Sequence, residues 1–486
     1  MTQPCDLSAI DARRLMKARE LSPVELLDSC LSRIESLNGT VNAITAMDEA
    51  RARREAAAAE KAFAAGDAAG DAAGDVIGPL SGLPVGIKDL NITAGLRTTY
   101  GSLLHENDVP DTDEAMVARL RAAGAIVLAK TNTPEFGSGS NTTNRVFGPT
   151  RNPYNVERTP GGSSGGSAAA LATGMLPLAH GSDTGGSLRN PATWCGVVGF
   201  RPTPGLVARE ARTLNYTHFS VQGPMGRSVA DASLMMAGLA GNDGRDALAG
   251  PCTPEGFIDL PDCDLSKLRM AWSTDFGGSA PIDENIRTSF AAVMNEIAPW
   301  FGDSGAHDPD FTDARDIFWT LRCVYYVASH EERVANHRDL LAPSIVSNYE
   351  AGLSMTLPDV ARAERAWTKL YKAFEAFFAD IDLLIVPGNA VSPFLIADGI
   401  PKSVGGKVME NYVDASLIRS ALTLTGHPVI AIPAGVDALG MPFGVQVVGK
   451  RRGDLDLLSA AKALEEKIRA HPALALAPPD LSALTG

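Results

Sequence analysis

Two serine-glycine stretches are the places where this chain could do chemistry: Gly161-Gly162-Ser163-Ser164-Gly165-Gly166-Ser167 and Gly181-Ser182-Asp183-Thr184-Gly185-Gly186-Ser187-Leu188-Arg189. Dense glycine lets backbone N–H groups approach a ligand through conformations that a Cβ forbids, which suits an anion or oxyanion cradle. The serines supply hydroxyls. A hydroxyl at neutral pH is a weak nucleophile, so a base must take its proton, and a lysine can do this only where burial or a positive neighbour lowers its pKa. Lys88 follows Leu83-Pro84-Val85-Gly86-Ile87, an apolar run that would bury its amine. Taken alone, Lys88 reads as a surface lysine or a partner of Asp89 at a strand end; beside the two loops it reads as a base.

Other chemistries fit less well. Gly161-Gly162-Ser163-Ser164-Gly165 matches the G-x-S-x-G nucleophile elbow formally, but an elbow needs a buried strand before it. Asn152-Pro153-Tyr154-Asn155-Val156-Glu157-Arg158-Thr159-Pro160 is polar and twice interrupted by proline. No Gly-Lys-Ser/Thr follows the glycines, so a phosphate loop is excluded. A flexible Gly/Ser linker is disfavoured by the alanine helix expected at Ala168 to Ala172. Of eight histidines, His180 and His427 are the rival bases, and neither has an acid partner nearby in sequence. Metal-ligand spacings such as His-Glu-x-x-His are absent, so no metal and no cofactor are expected.

The elements that must position these residues read as an α/β protein. Residues 7–38 carry helical patterning, with Ser22-Pro23-Val24-Glu25 as a capping box and Leu21 with Leu26 as a staple. Asp48 to Ala65 is an alanine-rich helix, and the repeat from Gly66 to Asp75 reads as a solvated loop. From Leu80 short apolar runs alternate with helices: Val85 to Asp89, the helix Glu114 to Ala123 ended by Gly124, then Ile126 to Lys130. Strand-like runs return at Asp382 to Pro387, Val429 to Pro433 and Gly444 to Gly449. Because strands from both ends must find one core, a single interrupted α/β domain is expected. Its parts are a helical N-terminal region (1–78), a core with the chemical motifs (79–235), a helix-rich insertion or cap (236–380) and C-terminal strands with a helix (381–486).

With 43 basic against 57 acidic residues and a net charge of −14, the chain lacks the basic surplus that phosphate backbones require, which argues against nucleic acid. The six cysteines are scattered without framework spacing and read as reduced thiols. No apolar run reaches the roughly 18 residues of a membrane span, and the N-terminus lacks a secretory pattern. A cytoplasmic location is the expectation.

Several motifs in order carry a family resemblance: Gly82-Leu83-Pro84-Val85-Gly86-Ile87-Lys88-Asp89, Gly148-Pro149-Thr150-Arg151-Asn152-Pro153, Arg158-Thr159-Pro160, the two serine-glycine loops, and Gly223-Pro224-Met225-Gly226-Arg227-Ser228 through Asp231. This order resembles the amidase signature family across residues 80–231, with weaker support at Gly426-His427-Pro428 and Gly444-Val445-Gln446. The resemblance implies an α/β/α domain around a large mixed sheet. It also implies a Ser-cisSer-Lys triad, with Ser187 as nucleophile, Ser163 as bridging serine on a cis peptide after Gly162, and Lys88 as base. Backbone N–H groups of Thr184, Gly185, Gly186 and Ser187 would form the oxyanion hole.

Ser164 competes with Ser163 for the bridging place, since it could instead hydrogen-bond the loop or cap the helix behind it. Asp183 and Arg189 read as a structural pair bracing the second loop. Phe318, Trp319, Tyr325 and Tyr326 read first as the buried face of a helix, and otherwise as walls of an acyl or aryl pocket. The expected activity is cleavage of a small-molecule carboxamide, with esters, anilides and carbamates within reach of the same chemistry. The alternative is the glutaminase-type subunit of a tRNA-dependent amidotransferase, from whose serine-leucine-aspartate pattern Tyr216-Thr217-His218-Phe219-Ser220 departs. A catalytically silent binding protein is the third reading, which retention of all three triad positions disfavours. The substrate and the oligomeric state stay open, a homodimer among the alternatives.

Overall fold

Short runs of Val, Ile and Leu become strands because branched side chains pack well on a pleated, buried surface. The computed structural model describes residues 3–66 and 77–485. Its first strands are β1 (Ile44–Met47), β2 (Pro84–Lys88), β3 (Ile126–Thr131), β4 (Thr143–Asn144) and β5 (Gly148–Pro149). There follow β6 (Leu178–Asp183), β7 (Val198–Arg201), β8 (Val221–Gly226), β9 (Arg269–Trp272) and β10 (Asp303–Ala306). The C-terminal part holds β11 (Leu383–Pro387), β12 (Ser403–Val404), β13 (Lys407–Val408), β14 (Val429–Val436) and β15 (Pro442–Val448). β4 pairs with β5 and β12 with β13; the other eleven form one sheet in the order β1-β3-β2-β6-β8-β7-β14-β15-β11-β9-β10.

The sheet is mixed. β2 lies parallel to β3 and β6, whereas β8, β7, β14 and β15 pair antiparallel in succession. β2, β3, β8, β11 and β15 are buried along their whole length, as strands covered on both faces are. Helices Gly165–Ala172 and Val229–Leu239 pack against β6 and β8. The sheet thus joins strands from the two ends of the sequence, which makes one α/β domain with a large mixed sheet.

The helix Pro23–Val41 begins with the expected box: Ser22 Oγ accepts from the Val24 and Glu25 N–H groups, and the Ser22 N–H donates to Glu25. Gly124 closes the helix Ala115–Ala122 with a φ of +88°. The alanine-rich helix spans Glu49–Gly66; the rest of the Gly66 to Asp75 repeat lies outside the described residues.

Several strands were not anticipated from sequence. β1 sits inside the N-terminal helical region and pairs antiparallel with β3. β9 and β10 extend the sheet from within the helix-rich 236–380 stretch. β6, expected as loop at Gly181-Ser182-Asp183, is a central strand whose His180 faces Pro224 of β8 in register. Glycine, proline and histidine give β6 and β8 little strand propensity, so tertiary pairing decides their conformation.

Candidate active site

β2 delivers Lys88 at its C-terminal end, in register with Thr131 of β3. The side chain is completely buried. Its Nζ lies 2.6 Å from Ser163 Oγ, 2.9 Å from Ser164 Oγ and 3.1 Å from Ser182 Oγ. No carboxylate stands within ion-pair distance of it among the described residues. Asp89 turns away: it accepts from the Thr99 N–H and hydroxyl and lies 3.8 Å from Lys130 Nζ. Burial therefore dominates the Lys88 amine and pushes its pKa down to about 7, against the opposing field of Asp183.

The first loop reaches Lys88 because neighbouring side chains hold its backbone. The Gly162–Ser163 peptide is cis. Thr142 Oγ1 donates to the Gly161 carbonyl and accepts from the Gly165 N–H, while Asn190 Nδ2 donates to the Gly162 carbonyl. Ser164 stands at the N-cap of the helix Gly165–Ala172 but makes no capping bond. Its hydroxyl lies between Lys88 Nζ, the Ser182 carbonyl and the Ser182 N–H. Ser164 N–H donates to the Ser187 carbonyl at 3.2 Å, which ties the two loops together.

The second loop leaves the end of β6 around a buried ion cluster. Asp183 pairs with Arg189 at 3.0 Å and Arg201 at 3.2 Å, all three side chains fully buried. Asp183 also accepts from the Gly186 and Leu188 N–H groups, so one carboxylate shapes the loop from inside. Arg189 extends to the Arg419 carbonyl and Gln446 Oε1, anchoring the loop to the C-terminal half. Attraction from both arginines outweighs burial and holds the Asp183 carboxyl well below the usual range.

That geometry revises the four-donor oxyanion expectation. The Gly186 N–H is already donated to Asp183 Oδ1 at 2.9 Å, whereas those of Thr184, Gly185 and Ser187 have no acceptor among the described residues. Gly186 has another function: its φ of +110° and the Arg419 side chain, which a Cβ would meet at 2.7 Å, both demand glycine. Ser187 is partly exposed, and its hydroxyl makes no hydrogen bond among the described residues.

Ser163, Ser182 and Ser187 open onto one cavity of about 120 Å³ with Thr184 and Gly185. Phe318, Tyr325 and Tyr326 also line it, while Trp319 packs against the hydrophobic core. Helix packing and pocket wall are both true of this aromatic set. A wider outer cavity of about 670 Å³ shares Leu90, Asn91, Phe136, Arg209, Tyr325 and Tyr326 with the inner one. The rival bases are elsewhere. His180 is buried with Nε2 2.7 Å from Gln222 Oε1, and burial pushes its pKa down to about 3. His427 packs edge-on to Phe374 and is pushed down to about 4, again by burial.

Sequence reading did not single out Ser182, although it precedes Asp183 in the same motif and its hydroxyl touches Lys88. It also passed over Arg209, Arg322 and Arg419, which line the inner cavity. Arg322 carried a usable signal: with Phe318 and Tyr326 it forms an i, i+4, i+8 stripe on the helix Ala314–His337.

Comparison with known proteins places this arrangement in a family. The amidase family model matches residues 25–458. The chain belongs to the amidase family. It is therefore a hydrolase acting on C–N bonds, and an amide is the substrate the family implies. An acylamidase from Rhodococcus erythropolis is 31% identical over 465 residues, covering 94% of this chain and 95% of its own. A glutamyl-tRNA(Gln) amidotransferase subunit from Roseiflexus castenholzii is 32% identical over 500 residues, covering 96% of each. The structure of a bacterial aryl acylamidase of the amidase signature family is similar with a TM-score of 0.86 at 26% identity, over 95% of this chain and 96% of that one. Overall identity thus does not separate the acylamidase from the amidotransferase component. Among the described residues, no helix of this amidase is long and apolar enough to cross a membrane.

Proposed function

We propose that this amidase hydrolyses carboxamides through an acyl-enzyme on Ser187, with Ser163 and Lys88 moving the proton. The observation that carries this reading is the fully buried Lys88 amine, 2.6 Å from Ser163 Oγ, in a cavity that Ser163 shares with Ser187. A buried amine with its pKa near neutrality can accept a proton, which an ordinary lysine cannot.

Ser187 Oγ attacks the amide carbonyl carbon while its proton passes to Ser163 Oγ, whose own proton passes to Lys88 Nζ. The carbonyl oxygen becomes the oxyanion of a tetrahedral intermediate. The N–H groups of Thr184, Gly185 and Ser187 are the available donors for it. Collapse breaks the C–N bond, and the proton held on Lys88 returns through Ser163 to the leaving nitrogen. Water then attacks the Ser187 ester along the same proton route, releasing the carboxylic acid.

A standalone amidase is favoured over an amidotransferase component by the Tyr216-Thr217-His218-Phe219-Ser220 segment, which departs from the serine-leucine-aspartate pattern of that subunit. Esters, anilides and carbamates fit the same sequence of steps. The test is amine and ammonia release by the purified protein from aliphatic amides, anilides, carbamates, peptide amides and glutamine. Turnover in the wild type that Ser187→Ala lacks is the expected result. Turnover unaffected by Ser187→Ala overturns the acyl-enzyme, and activity confined to glutamine transfers the chain to the amidotransferase reading.

A further inference from the structure

We propose that the amide cleaved by this enzyme carries a carboxylate, which Arg322 holds in the inner cavity; this rests on the reading of Ser187 as nucleophile. Three arginines, Arg209, Arg322 and Arg419, line that cavity, and no aspartate or glutamate among the described residues does. None of the three makes an ion pair among the described residues. Arg322 and Arg419 are buried, and buried guanidinium groups are costly unless something compensates the charge, so a cavity walled by them is suited to an anion.

Arg322 is the best placed of them. It is 8% exposed, with Nε donating to Asn348 Oδ1 at 3.1 Å and Nη2 to Tyr326 Oη at 2.7 Å. Its Cζ lies 4.6 Å from the Tyr326 ring centroid and 5.0 Å from that of Tyr412. These neutral partners orient the guanidinium without neutralising it, and Nη1 has no acceptor among the described residues. Asn348 is itself fixed by donating to the Ser344 carbonyl at 2.7 Å. Arg209 stands where the two cavities meet and shares its field with Glu114 of the outer one. Arg419 donates to Asn389 Oδ1, and its buried Nε has no acceptor. Asp183, whose field reaches Arg419, already serves Arg189 and Arg201. Among the described residues, the charged side chains that line the inner cavity are all cationic.

Two isosteric substrate pairs test this. In the first, glutaric acid mono-4-nitroanilide is compared with 5-methylhexanoic 4-nitroanilide, which has isopropyl in place of carboxylate on the acyl side. In the second, N-acetyl-4-aminobenzoate is compared with N-acetyl-4-isopropylaniline, which makes the same exchange on the amine side. A charge-assisted contact should favour the carboxylate member of one pair by about 10- to 100-fold in kcat/KM, chiefly through KM. Arg322→Gln should bring that ratio close to one, and Arg322→Lys should keep part of it, with thermal melts confirming that both variants fold. Equal or better turnover of the neutral member in both pairs overturns the proposal, and so does a preference that survives Arg322→Gln. Absence of any Ser187-dependent turnover overturns the acyl-enzyme reading and this inference with it. Ser187-dependent turnover without a preference overturns this inference alone.

Discussion

Lowering the pH should switch this enzyme off through Lys88 before it unfolds the protein. Burial favours the neutral amine and brings its pKa from 10.5 to about 7, while Asp183 pushes the other way. The neutral form is the one that can take a proton, so activity is full above the folded pKa and is lost as pH falls through it. One unit below that value about a tenth of the amine is unprotonated, and two units below about a hundredth, so kcat/KM should fall about 100-fold from its plateau to pH 5 with unit slope. His180 and His427 are held neutral well below this range and add no second limb near pH 7. The assay is initial-rate hydrolysis of a neutral 4-nitroanilide from pH 5 to 9 at constant ionic strength, with circular dichroism to confirm the fold at each pH. Neither the anilide nor 4-nitroaniline titrates in that window. A flat profile from pH 5 to 8, or a midpoint near 10, would refute the buried-base argument.

Three further outcomes follow from the geometry. Ser163→Ala should cut kcat/KM by about 10²- to 10⁴-fold, as loss of a proton-transfer partner does, and Ser164→Ala by far less, because Ser164 mainly joins the Lys88 pocket to Ser182; equal losses in steady-state kinetics would reverse the assignment. Gly166→Ala should destabilise the fold by about 1–3 kcal/mol in urea unfolding, since the new Cβ would lie 2.3 Å from Asn132 N and 2.8 Å from the Ala43 carbonyl oxygen. Arg189→Met should cost about 3–5 kcal/mol in the same measurement, because it breaks a fully buried pair and leaves Asp183 with Arg201 alone.

Local chemistry made part of this molecule readable in advance. The Ser22–Glu25 box works through bonds three residues apart, and β2, β3, β11, β14 and β15 announce themselves as apolar branched runs. The expected meeting of Lys88 with the first loop rested on motif order and on an apolar run long enough to bury an amine. What was not readable depends on approach between distant segments. β6 and β8 carry glycine, proline and histidine, and become strands because each completes the other's ladder. Ser182 looked like a loop residue, yet its place at the end of β6 puts its hydroxyl 3.1 Å from Lys88. The Gly186 N–H was counted among free donors, because nothing in the spacing shows that the Asp183 carboxylate folds back to take it.

Asp183 also explains how a buried carboxylate and a neutral buried lysine can share one site. An ionised aspartate near Lys88 should raise the lysine pKa and spoil it as a base. Here the carboxylate is enclosed by Arg189 and Arg201 and by two loop N–H groups, so its charge is met at contact distance before it reaches the amine. Lys88 meanwhile receives only serine hydroxyls, which can accept from the ammonium or donate to the amine. The loop carrying Ser187 is braced by the ions, while the base remains tuned by burial. This separation makes the effect of breaking the Asp183–Arg189 pair predictable in sign for catalysis as well. With Arg189→Met the field of Asp183, then met by Arg201 alone, should raise the Lys88 pKa, so the kcat/KM midpoint should shift to higher pH in whatever fraction stays folded. A midpoint that stays at wild-type pH would mean that burial alone controls the amine.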